Sequence, residues 1–140
     1  MAGSANNTTE KDILNELLGA VAFVSDVTVW IALWTTMPTD AGGGVEVTGG
    51  AYVRFSVTNN TTNFPNATGD TPSTKNNGVA FTFVTATANW GTILGASIMT
   101  HVSASAETDF LCWFDLDTTK AVNTDDTAEF AINAITVTMD

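Results

Sequence analysis

One histidine, His101, lies a short way along the chain from Ser97, Ser103 and Asp109. Imidazole, hydroxyl and carboxylate are the groups of a hydrolytic triad. No G-x-S-x-G elbow presents either serine, so His101 reads as a strand histidine near a sheet edge. Cys112 alternates with Phe110 and Phe114, the pattern of a small buried hydrophobe rather than a thiolate nucleophile. Asp115, Asp117, Asp125, Asp126 and Glu129 supply carboxylates of the glycosidase type, but no spacing singles out a pair. Asp125, Asp126 and the Asn/Asp-rich stretch 59–77 offer hard oxygens to calcium without EF-hand spacing. The run "AGGGVE" lacks the lysine and the following helix of a phosphate loop. No catalytic residue, metal or cofactor is therefore expected, and the chain does not read as an enzyme. Trp30, Trp34, Trp90 and Trp113 remain. Exposed, they would stack on sugars; covered, they would fill a core or a subunit interface.

The elements that would carry these residues are mostly strands. In "VTVWIALWTT" (27–36), Val27, Val29, Ile31 and Leu33 point one way and Thr28, Trp30, Ala32 and Trp34 the other. Both faces are apolar, which predicts a central strand. Met37, Pro38, Thr39 and Asp40 turn the chain, and Gly42, Gly43 and Gly44 form a flexible corner. Further strands are predicted over 51–58, 79–84, 92–102 and 110–116, the last with Phe110, Cys112, Phe114 and Leu116 on one face. Three short strands are predicted after Lys120. Residues 59–77 read as one long loop pinned by Phe64, with Pro65 beside it. Many short strands at regular spacing indicate an all-β chain, a jelly-roll-like β-sandwich.

Ahead of the strands stands one short helix. Thr8 or Thr9 is the expected cap, and Glu10 and Asp12 suit its positive end. Ile13, Leu14, Leu17, Leu18 and Val21 form an apolar stripe that must bury against something. Residues 1–9 are expected to be a flexible arm and 10–140 a single domain.

The 140 residues carry a net charge of -11, and only 14% of them are charged. So acidic a surface repels phosphate backbones and anionic lipid, which argues against nucleic-acid and membrane partners. A single cysteine excludes an internal disulfide. No stretch is apolar for long enough to cross a bilayer, and the N-terminus has no secretory pattern, so synthesis in a host cytoplasm is expected. Without such a signal, the Asn-x-Ser/Thr sequons reflect abundant Asn and Thr.

Taken in order, several blocks carry a resemblance. They are "DILNELLGA", "VTVWIALWTTMPTDAGGGVEVTGGAYVR", "NNGVAFTFVTATANWGTI", "FLCWFDLDTTKAVNTDDTAEF" and the terminal "AITVTMD". Together they resemble a family of small tailed-bacteriophage virion proteins, some labelled tail-fibre-like and some akin to capsid cement, or decoration, proteins. The resemblance spans about residues 12–140 and brings no catalytic residues. It implies a virion structural protein. The first expectation is a decoration protein on the capsid exterior, a homotrimer that clamps adjacent copies of the major capsid protein. The alternatives are a tail fibre, baseplate or adaptor part, or a glycan-binding module. Contacts are expected from the arm, at Asn6, Asn7 and Thr8, and from the two long turns, at Met37, Pro38, Gly43, Phe64 and Pro65. Trp30 and Trp34 are the expected subunit-interface anchors.

Overall fold

The computed structural model describes residues 3–139, so Met1 and Ala2 of the expected arm lie outside the described residues. The chain is all-β with one short N-terminal helix. In order it forms β1 (Gly3–Ala5), α1 (Asn7–Gly19), β2 (Thr28–Thr36), β3 (Val45–Glu46), β4 (Phe55–Thr58) and β5 (Ser73–Asn76). There follow β6 (Phe81–Thr82), β7 (Gly91–Met99), a 3-10 turn at Glu107–Asp109, β8 (Phe110–Val122), β9 (Glu129–Phe130) and β10 (Thr136–Met139).

The main sheet is antiparallel, in the order β1-β8-β7-β2-β3, with β4 on the same side of β2 as β3. β2 is central because both of its faces are apolar, and both are buried. Val29, Ile31 and Leu33 enter a large core; Ala32 and Trp34 enter a smaller one on the opposite face. Trp34 stacks on Phe110 at 5.5 Å. Its indole Nε1 donates to the Ser97 hydroxyl at 2.8 Å, so the one polar atom of a fully buried ring is satisfied.

The pairing of β8 with β7 shifts register at two points, and the one near the start of β8 divides its faces. Ile98 pairs with Cys112, yet the next residue, Met99, pairs with Phe110, so Leu111 is an extra residue in β8. This bulge turns Phe110 to the small core with Trp34 and Met99, while Cys112 and Phe114 face the large one. The single face expected for Phe110, Cys112 and Phe114 is thus divided.

Short ribbons form the second layer over the large core. β6 pairs with β9 and β5 with β10, both antiparallel. The stretch 59–77 is therefore not one loop, since its end is a strand held by the C-terminus. Aromatic rings join the layers: Phe55 lies 5.5 Å from Phe81, Phe64 5.7 Å from Phe81, and Phe114 6.1 Å from Phe130. Asn77 is fully buried beside them. Its amide donates to the carbonyls of Val79 and Ala131, and its Oδ1 accepts from the Ile135 N–H, all at 2.8 Å. One side chain so closes three stretches of chain without a wasted polar atom.

The first described residues, from Gly3, are built into the sheet. Gly3–Ala5 pair with Cys112–Phe114 of β8. Asn6, not Thr8 or Thr9, caps α1: its Oδ1 accepts from the N–H groups of Thr8 and Thr9 at 2.9 and 3.2 Å. Its amide donates to the carbonyls of Asp40 and Glu107. A residue with all of its polar atoms used can be fully buried, as Asn6 is. The other end of α1 stops at Ala20, which is left-handed at φ 52°.

Candidate interaction surface

Of the residues that could form a triad, Ser97, His101 and Asp109 are engaged elsewhere. Ser97 is fully buried, and its hydroxyl accepts from Trp34 and lies 3.0 Å from the Met99 sulfur. His101 Nδ1 accepts from the N–H groups of Ser103 and Ala104 at 3.1 and 2.8 Å, which makes it a turn cap. Asp109 Oδ2 accepts from the Ala106 N–H. Among the described residues no three His, Cys, Asp or Glu side chains group to hold a metal ion. Asp126 Oδ2 accepts from the Asn123 N–H, closing a turn. Burial pushes the Cys112 thiol up to about 11, away from thiolate chemistry.

A polar cluster missed in the sequence fastens the turn that follows β7. Arg54 is buried and pairs with Glu46 through two bonds, Nε to Oε1 at 2.8 Å and Nη2 to Oε2 at 2.7 Å. Its Nη1 donates to the carbonyls of His101 and Ala104. Tyr52 donates to Glu46 and accepts from the Leu33 N–H. Burial, with the Glu46 carboxylate beside it, holds its phenol well above the usual tyrosine range. With its donors shared between a carboxylate and carbonyls, Arg54 holds the 101–104 turn as a strut.

The residues expected to meet partners divide into three groups. Asn6, Trp34, Pro38 and Phe64 are buried inside the subunit and serve its own packing. Trp34 is 1% exposed and leaves no surface to a partner, which removes it as an interface anchor. Asn7, Thr8, Trp30 and Met37 are half-buried, the last two against the small core. Gly43 and Pro65 are exposed. The corner itself has a steric cause. Gly44 sits at φ 85°, and a Cβ there would come within 2.8 Å of Pro38 N and the Thr36 carbonyl. Of the other tryptophans, Trp90 is buried with its indole donating to the Gly50 carbonyl. Trp113 is half-buried with its indole donating to Asp40.

The largest uncovered apolar surface lies in the helical region. No residue of α1 is buried. Leu14, Leu17 and Leu18 are 57%, 71% and 87% exposed, and Val21, Val24 and Val27 continue the exposed run. The Glu16 carboxylate accepts from the Phe23 N–H, so the chain beyond Ala20 folds back against the helix. Soluble domains scatter exposed apolar residues singly; a contiguous run marks an interaction site.

Next to this run the two layers part and leave an open groove of about 490 Å³. Ile98, Cys112 and Phe114 of the main sheet form one wall, and Ile135, Val137 and Met139 near the C-terminus the other. Ile13 and Phe23 stand at its rim, as does Lys75. The Asn76 Oδ1 atom, also at the groove, is buried without a hydrogen-bond partner among the described residues.

Comparison with known proteins gives one match of family scale. The family described as "Podophage GP4 fiber I protein gp80" matches residues 4–138, from β1 to β10. No curated protein matches the chain.

Proposed function

The chain belongs to the podophage GP4 fiber I protein gp80 family, a tailed-phage virion structural family, and from that premise we propose that it is a subunit of a virion fibre. The observation that carries this reading is the extent of the match. It runs from the first strand to the last, so the whole domain, helix included, is the family's unit. The geometry suits such a part. A sheet buried on both faces, with aromatic rings locking its second layer, is stiff. Its turns are fastened by the Arg54–Glu46 pair and by buried asparagines, and its uncovered apolar surface is free for assembly.

The other reading is a decoration protein, a trimer on the capsid exterior that clamps neighbouring major capsid protein subunits. The exposed apolar run 14–27 suits a clamp of that kind. Copy number separates the two. Quantitative mass spectrometry of purified virions, scaled to the major capsid protein, should return a few copies per hundred for a fibre subunit. A ratio near one to one would overturn the fibre reading in favour of decoration.

A further inference from the structure

We propose that residues 14–27 of one copy seat in the groove of a second copy, so that the chain assembles with itself through its helical region. Two unsatisfied apolar surfaces stand side by side on one molecule. The first projects Leu14, Leu17, Leu18 and Val24 into solvent. The second is a cleft of about 490 Å³ floored by the buried Ile98, Phe114 and Ile135, with Val137 and Met139 exposed along its edge. One contact between two copies covers both, and no other described feature of the chain offers leucines of matching exposure.

Charge names the same occupant. The groove rim carries Lys75, which is half-buried and whose ammonium donates to the Pro65 carbonyl. Only four cationic side chains exist in this chain of net charge -11. Arg54 is engaged with Glu46, Lys11 is on the helix, and Lys120 stands at the far end of β8. Residues 14–27 carry Glu16 and Asp26 and no cation, so an acidic, leucine-bearing segment meets an apolar groove with a cation at its lip. Ile13 and Phe23 already rim the groove of their own subunit. Helix and groove therefore share one side of the molecule, and copies can exchange them reciprocally or head to tail around a closed ring.

The inference stands whether the protein is placed on a fibre or on the head, so the copy-number result does not decide it. Its test is sedimentation velocity of the full chain over a concentration series. Four samples are compared: the native chain, L14D/L17D/L18D, V137D/M139D, and an equal mixture of the two variants. The native chain should associate, and each variant alone should stay monomeric with the circular dichroism of a folded domain. The mixture should form a heterodimer, because one partner retains its helix and the other its groove. Lys75→Glu, which reverses the charge at the half-buried rim and gives up the bond to the Pro65 carbonyl, should weaken association at least fivefold even if the V137D/M139D variant folds poorly. A native chain that stays monomeric, a helix variant that associates like the native chain, or a groove charge reversal without effect would each overturn the proposal.

Discussion

β2 and the segment from α1 to Val27 are neighbours in the chain and both carry apolar periodicity, yet they meet opposite fates. In β2 every position from Ile31 to Trp34 is buried, with one core on each face. In α1 no position is buried, and Leu18 is 87% exposed. The difference teaches that apolar periodicity reports a demand for a partner without saying which molecule supplies it. β2 meets its demand within the subunit, through the large core on one face and the small core on the other. α1 touches its own subunit near its N-terminal cap and leaves its leucines outward. Apolar burial in β2 stabilises folding; on the proposed assembly, the same chemistry in α1 serves association.

The comparison breaks first at Leu33. This side chain is 2% exposed within the large core. Leu33→Ala should destabilise the isolated domain by about 2–5 kcal/mol, the cost of lost transfer energy plus an incompletely collapsed cavity. Urea unfolding followed by tryptophan fluorescence measures it, with an unchanged m-value. A loss under about 1 kcal/mol, within the reach of a surface site, would mean that the core around β2 is not the seat of stability.

A smaller effect is expected at the joint between the two regions. Asn6→Ala removes the cap of α1 and the donors to the Asp40 and Glu107 carbonyls. Cap loss costs about 1 kcal/mol, and two carbonyls left without their amide donor bring the expected total to about 2 kcal/mol. The loss should be partly local. The helical signal at 222 nm and the protease resistance of residues 7–27 should fall before the tryptophan transition moves. A single transition shifted as a whole would show that helix and sheet unfold together, and the two regions would no longer be separable.

How far these regions were legible in the sequence follows the range of the interactions. The two-faced burial of β2 was readable because alternation is a local property of Val29 to Trp34, and the helix over α1 was readable from its stripe. The face of Phe110 was not. It depends on the bulge at Leu111, which arises from pairing with β7 and leaves no mark on β8 itself. β5 was hidden in a run of turn formers because its partner, β10, comes from the far end of the chain. In sequence Asn6 reads as part of an arm and a contact, and Phe64 as both the pin of its loop and a contact. Their burial depends on what the folded chain brings over them, the Asp40 and Glu107 carbonyls in one case and Phe81 in the other. For the candidate surface, the stripe was visible but the groove was not, since its walls come from β7, β8 and the C-terminus.

The smallest expected effect is the most discriminating, because it repeats the largest one in the other region. Leu18→Ala makes the same chemical change as Leu33→Ala at a side chain that is 87% exposed. Removing that side chain opens no cavity and withdraws little area from any core, and alanine is the better helix former. In a dilute monomer the unfolding free energy should therefore stay within about 0.5 kcal/mol of the native value. Any cost should appear only as the protein is concentrated into its associated form, where mass action couples assembly to stability. A melting temperature that depends on concentration in the native chain, and less so in Leu18→Ala, would assign this leucine to association rather than folding. A loss of 2 kcal/mol in the dilute monomer would instead place Leu18 in the subunit's own core, and the contrast between β2 and α1 would be gone.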